Sequence, residues 1–233
     1  MNVDKLVKRL LDIIPRYARL PLLLALVWNC LGYYGGRLIA WDLPHFSFAL
    51  PCDSRIPQLP WTIVIYFLSF LFWTVNYILA SRRGEEFAYR FLCADFLTRL
   101  VCFSCFVFLP TSMIRPVIMG NSLWCRLLRF IYSVDAADNL FPSIHCVASV
   151  LSALGIHGDP QIPRWYRVLS WLFAVAVCIS TLTTKQHVFA DVIGGIVLAL
   201  TSYGVAGIDA VSEAYRKLIC SLRRQKAENE IWS

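Results

Sequence analysis

The chain alternates long apolar runs with short polar breaks. Runs over residues 20–40, 61–80, 91–110, 141–156, 168–181 and 187–207 carry few charges. Most approach the roughly 20 residues that an α-helix needs to cross a bilayer. Between them the polar segments are rich in Pro, as in 41–60 with Pro44, Pro51, Pro57 and Pro60, where no periodicity survives. The pattern predicts an all-α, polytopic membrane protein, a bundle of six transmembrane helices. A weaker helical stretch falls at 124–132. Ahead of the first run, residues 1–19 place Leu6, Leu10, Ile13, Ile14 and Tyr17 at helical spacing among five basic residues. That predicts an amphipathic helix lying in the membrane interface, not a signal core. The chain divides into this segment, a six-span domain over 20–208, and a basic tail over 209–233.

Composition strengthens this picture. Charged residues make up 16% of the chain against about 25% in ordinary soluble domains, and mean hydropathy is +0.59. The net charge of +7 raises nucleic acid as a partner, but its placement points elsewhere. With the N-terminus inside, fifteen Lys and Arg fall on the inner side. Five fall outside: Arg55, Arg115, Arg126, Arg129 and Lys185. This asymmetry follows the positive-inside rule. It predicts a multi-pass protein of the cell membrane with both termini cytoplasmic. The basic excess then serves topology and anionic headgroups, with no nucleic-acid partner.

Nine Cys are present, mostly in or beside apolar runs, where the thiol behaves as a small hydrophobe. Cys102-Phe-Ser-Cys105 has no second pair to complete a zinc site. Cys52 and Cys125 fall in outer loops, but spacing alone supplies no disulfide geometry. Asp95 and Arg99, four apart inside the third run, read as a charge pair within the bundle. Asn76 reads as interhelical glue, and Gly194, Gly195, Gly204 and Gly207 as close-packing positions.

The chemistry gathers at the outer face. His187 and Asp191 stand four apart at the mouth of the sixth run, a spacing that lets the carboxylate hold one imidazole nitrogen while the other points away. The fourth run opens with Pro142-Ser143-Ile144-His145. A helix starting there offers free N–H groups and a positive dipole end to an oxyanion, and Ser143 adds a hydroxyl. Arg115 follows the third run with a guanidinium that matches phosphate geometry. Lys185 and Thr184 lie just before His187.

Arg115-Pro116, Pro142-Ser143-Ile144-His145 and Ser180 followed by His187 and Asp191 resemble, in order, the three signatures of the type 2 phosphatidic acid phosphatase and haloperoxidase superfamily. Those signatures are Lys-x6-Arg-Pro, Pro-Ser-Gly-His and Ser-Arg-x5-His-x3-Asp. The resemblance covers about residues 91–208 and points to a divergent membrane branch, with some similarity to inositolphosphotransferase-like members. It implies His187 as nucleophile, Asp191 as its orienting carboxylate and His145 as acid and base. Arg115, Ser143 and the Ile144 backbone N–H are implied to bind phosphate, with no metal or cofactor. The chain departs at three places: Phe108 stands where the first signature has Lys, Thr181 where the third has Arg, and Ile144 where the second has Gly. Lys185, with Thr184 and Thr181, is expected to replace part of the phosphate binding that the missing cations would supply. The implied activity is hydrolysis of a lipid phosphomonoester or diphosphate through a phosphohistidine. The same residues also suit a lipid head-group phosphotransferase, or a lipid-binding membrane protein without catalysis. A metal site of His145, His187 and Asp191 is the weaker rival, because no His-Glu-x-x-His helix is present. Neither the particular lipid nor the oligomeric state is legible.

Overall fold

The computed structural model describes the backbone of residues 12–231 and the side chains of residues 12–224. Among the described residues from Arg16 on, eight α-helices follow one another: α1 (Arg16–Ile39), α2 (Ile63–Ser81), α3 (Glu85–Phe108), α4 (Leu123–Val134), α5 (Ile144–Ile156), α6 (Arg164–Thr183), α7 (Phe189–Val205) and α8 (Asp209–Ile231). No strand forms among the described residues. Each apolar run of the sequence becomes one helix, and the weak stretch at 124–132 becomes α4. The expected interfacial segment lies largely outside the described residues, and its last residues, from Arg16, already belong to α1.

Three boundaries differ from expectation for local reasons. α3 begins at Glu85, within what reads as a charged loop. Gly84, at φ 121°, makes the turn, and Glu85 and Glu86 favour the positive end of the helix. Helix α5 begins at Ile144 because Ser143, in extended conformation, caps it by accepting a hydrogen bond from the Cys146 N–H. Pro142 therefore precedes the helix and does not sit in its first turn. The basic tail is helix α8, which leaves α7 at an angle of 88°.

The span count is met only in part. Among the described residues four helical segments are long and apolar enough to cross a membrane: α1, α2 with its leading turn, α3 and α6. The bent pair α7–α8 makes a fifth if it is taken as one span. Helix α5, at 13 residues, is shorter. Its sequence is apolar for a different reason from the rest. Ten of its thirteen residues are buried, and α2, α3, α6 and α7 all pack around it. The outer helices instead turn apolar side chains outward: Leu26 is 63% exposed, Leu38 77% and Leu172 63%. An outward apolar belt of this kind suits hydrocarbon and is compatible with a multi-pass membrane protein.

Small residues let α5 sit so deep. A Cβ on Gly155 would come within 2.8 Å of Ala80 Cβ and 2.7 Å of the Phe91 ring. One on Gly195 of α7 would meet the Ser143 carbonyl oxygen at 2.7 Å. Gly194 lies against the Phe141 ring and Gly207 against the Arg90 guanidinium, but Gly204 has open space around it and is no packing position. Polar ties cross the same interior. Asn76 accepts from the Tyr166 hydroxyl at 2.8 Å and lies 3.4 Å from Ser170 Oγ. The Trp73 indole N–H donates to Ser149. Asp95 and Arg99 pair at 3.1 Å, nearly inaccessible, and the Tyr77 hydroxyl donates to the same carboxylate oxygen. All are inter-element or core ties, as expected for Asn76 and for the Asp95–Arg99 pair. Cys52 and Cys125 are separate free thiols, one exposed and one buried.

Candidate active site

The site lies at the end of the bundle where α2, α5 and α7 begin and α3 and α6 end. His145 occupies the second position of α5, since Ser143 is its cap. Its ring stacks on Tyr66 of α2, with centroids 4.4 Å apart, and Trp73 and Phe70 complete an aromatic wall. His187 does not lie on a helix. It sits in the turn between α6 and α7, two residues before α7 starts, with its N–H bonded to the Thr181 carbonyl. The fourfold spacing to Asp191 still works, because Asp191 is the third residue of α7 and reaches back over the turn. Its Oδ2 lies 3.3 Å from His187 Nδ1 and accepts the Val188 N–H at 3.0 Å. One carboxylate oxygen thus closes the helix end and orients the imidazole. His187 and Asp191 are buried, at 8% and 1% exposure. The two imidazoles face one another with ring centroids 5.8 Å apart.

With Nδ1 on the carboxylate, Nε2 is the nitrogen of His187 left for chemistry. Ser143 is fully buried, and its N–H donates to the Asp191 carbonyl. Its hydroxyl oxygen accepts from Cys146, which leaves the O–H proton to give. By helix geometry the N–H groups of Ile144 and His145 have no partner within α5.

Arg115 reaches the site from the segment after α3. Nη1 donates to the Asp135 carbonyl, and Nη2 donates to the Ala136 carbonyl and to Gln186 Oε1. The guanidinium also lies over the Tyr132 ring, 4.6 Å from its centroid. Burial raises the Tyr132 phenol above its ordinary range, so it stays protonated and donates to the Thr184 carbonyl. Farther out, Asp138 pairs with Arg37 at 3.0 Å. Burial lifts its carboxyl above the usual value, and Arg37 opposes the lift.

The remaining expected residues are placed differently. Lys185, at φ 54°, turns its ammonium to the carbonyls of Asp53 and Ile56, at 2.9 and 2.6 Å. It clamps the 41–60 loop, and Asp53 Oδ1 adds a bond from the Phe189 N–H. The Thr184 hydroxyl donates back to the Ser180 carbonyl at 2.6 Å as α6 ends. Thr181, at the position where the resemblance expects Arg, is buried and donates to the Cys178 carbonyl. Phe108, at the expected Lys, is 83% exposed. The structure therefore gathers His145, His187, Asp191, Ser143, the α5 N-terminus and Arg115. It directs the Lys185 and Thr184 side chains to backbone carbonyls.

Three participants were not singled out from the sequence. Gln186 links Arg115 to the turn bearing His187. Asp135 accepts from the Tyr33 hydroxyl at 2.5 Å and lies 3.4 Å from that of Tyr66. Tyr66 in turn backs His145. The only prior signal was position, Gln186 beside His187 and Asp135 in the polar stretch ahead of α5. Among the described residues, no group of three or more His, Cys, Asp or Glu side chains is placed to hold a metal ion.

A carboxylate-oriented imidazole facing a second imidazole, beside a capped helix end and an arginine, brings together a nucleophile of the kind covalent catalysis uses and donors for an oxyanion. The family model described as PAP2 superfamily matches residues 55–205, a stretch that contains every one of these side chains. The chain belongs to the PAP2 superfamily, whose members are in general phosphatases and phosphotransferases. No curated protein and no solved structure matches the chain.

Proposed function

We propose that this protein is an integral-membrane phosphatase that hydrolyses a lipid phosphomonoester or diphosphate through a phosphohistidine. The observation that carries the reading is the facing pair His145 and His187, 5.8 Å between ring centroids, with Asp191 bonded behind His187. In the first step the lone pair of His187 Nε2 attacks phosphorus in line with the ester bond. The P–N bond forms as the P–O bond breaks, and protonated His145 gives its proton to the departing alkoxide. The phosphate dianion brings the countercharge that a protonated imidazole needs in this aromatic setting. Asp191 neutralises the charge that develops on His187. Arg115, the Ser143 hydroxyl and the N–H groups of Ile144 and His145 hold the equatorial oxygens. In the second step neutral His145 takes a proton from water, the water oxygen attacks phosphorus, and the P–N bond breaks to release phosphate. Lys185 and Thr184 support this site by holding the adjacent turn and loop. An alcohol in place of water gives head-group transfer from the same intermediate.

The proposal includes six spans in the cell membrane, cytoplasmic termini and an extracytoplasmic site. Helix α5 is only about 20 Å long, less than the roughly 30 Å of hydrocarbon. Its flanking segments complete the crossing within the protein, where backbone away from lipid is tolerated. The test is phosphate release from phosphatidate in detergent by the parent and by His187→Ala. Loss of release, with loss of acid-labile phosphate on the protein, is expected. Undiminished turnover in the variant overturns the reading. A product carrying phosphate on an added polyol, with no free phosphate, assigns the chain to transfer.

A further inference from the structure

The site lacks cations at the positions of Phe108 and Thr181, and the Lys185 ammonium is held by loop carbonyls. Something else must face the phosphate oxygens. Gln186 is 2% exposed, and its Oε1 is fixed as an acceptor because Arg115 can only donate. That leaves the amide Nε2, with two donors, buried and without a partner. The Arg115 Nε–H is likewise buried and unpartnered. A buried donor without a partner costs roughly 1–3 kcal/mol. Two of them, on side chains joined by one hydrogen bond and one of these next to His187 in sequence, call for an acceptor that arrives from outside. The two carboxylates bonded to this turn and the start of α7 are already engaged, Asp191 by His187 and Val188 and Asp53 by the N–H groups of Phe189 and Leu50.

The geometry points to Gln186 as a further phosphate-binding residue, whose Nε2 donates to an oxygen of the transferring phosphoryl group while its Oε1 holds Arg115 Nη2 in place. The amide does two jobs from its two ends. A neutral donor here suits a site with few cations: it binds the oxyanion and leaves no buried charge behind when the site is empty. The inference rests on the phosphohistidine reading of His187.

Two variants separate donation from mere support of Arg115. Gln186→Glu is isosteric, keeps an oxygen on Arg115 as an ion pair, and removes both donors. Gln186→Leu removes donor and acceptor together. Phosphate release is measured in detergent for both, with kcat and KM separated, and with orthovanadate as the inhibitor that mimics the five-coordinate phosphorus. Both variants are expected to lose kcat by about 100-fold, the effect of deleting one oxyanion donor, with a smaller change in KM and much weaker vanadate inhibition. Gln186→Glu with parental kcat and parental vanadate inhibition overturns the inference, because Arg115 would then be the only thing Gln186 serves. That conclusion stands on the Glu variant alone if the Leu variant does not fold. His187→Ala run beside them keeps the two levels apart. If that variant turns over normally, the mechanism fails; if it is dead while Gln186→Glu is normal, only the role of Gln186 fails.

Discussion

Replacing Asp191 with Asn keeps the shape of the side chain and removes its charge, which makes it a sensitive probe of how His187 is held. A single oxygen, Oδ2, serves both His187 Nδ1 at 3.3 Å and the Val188 N–H at 3.0 Å, while Oδ1 has no partner. An amide oxygen at the Oδ2 position still accepts from both groups. The reverse rotamer would set an NH2 against the Val188 N–H, donor against donor, so the helix end itself selects the productive orientation. The tautomer with Nε2 free is therefore kept, and only charge stabilisation is lost. Hydrogen bonds to charged groups contribute about 1.5–3 kcal/mol and neutral ones about 0.5–1.5. The difference, about 1–2 kcal/mol, corresponds to roughly a 5- to 30-fold fall in kcat. Asp191→Ala removes the acceptor altogether, leaves the Val188 N–H and the imidazole unpartnered, and is expected to be at least about tenfold worse than Asn. The assay is phosphate release in detergent at saturating substrate, with melting temperature as the check on folding. A fall near 10⁴-fold in Asp191→Asn would mean that the tautomer had been lost. No fall would mean that the carboxylate carries no charge role. Either result refutes the reasoning.

Other substitutions test the frame around the site. Gly195→Ala puts a methyl group 2.7 Å from the Ser143 carbonyl oxygen and 3.0 Å from Cys146 Cβ; the backbone atom has little room to yield. Overpacking of this kind costs about 1–3 kcal/mol, so melting temperature and kcat should fall together, and an unchanged melting temperature would show that α7 does not seat on the α5 cap. Arg99→Met strands Asp95 at 1% exposure, an expected loss of roughly 3–5 kcal/mol, whereas Asp95→Leu with Arg99→Met should restore most of it; thermal denaturation of single and double variants decides. Lys185→Ala releases the Asp53 and Ile56 carbonyls. It should speed protease cleavage within the 41–60 loop and lower kcat by no more than roughly 10- to 150-fold, the scale of one charge-assisted bond. A much larger loss without change in cleavage would return Lys185 to the phosphate.

Helix positions were legible because hydropathy runs register the surroundings of a whole segment, and each run became a helix. The candidate trio was legible for a related reason: His145, His187 and Asp191 are polar groups at the mouths of apolar runs, where few residue choices are neutral. What the runs do not register is what surrounds them. Helix α5 looks in sequence like any other short span, yet its apolar residues are enclosed by protein on all sides, while α1 packs chiefly on α3 and leaves most of its apolar surface open. Contacts made across long separations were equally hidden. Lys185 meets residues about 130 positions earlier, and its direction depends on a left-handed backbone at φ 54°, which the one-dimensional spacing to His187 does not carry. Gln186 was invisible as a site residue because its role depends on which end of its amide Arg115 takes.

The central position of α5 explains how a site of charge transfer persists in an apolar bundle. Its first turn bears His145 and, through Ser143, touches the helix that bears Asp191. The rest of it, Cys146 to Ile156, is almost wholly enclosed. A helix exposed to lipid would have to spend its outward face on Leu and Val and would be free to tilt with the bilayer. One clasped by four neighbours, through small residues such as Gly155 and through Gly195 on α7, cannot shift its first turn without moving those neighbours. The 5.8 Å separation of the two imidazoles is then set by packing inside the protein, independent of the membrane around it. Two imidazoles contributed by separate segments, His145 by the first turn of α5 and His187 by the turn ahead of α7, need this rigidity if they are to act on one phosphorus, since a misplacement of about 1 Å can cost roughly 100-fold in rate. Shortness follows from the same requirement. α5 has only to reach from the site to the depth at which Ala80 and Phe91 close over Gly155, and the outward apolar surface is carried by the helices that surround it.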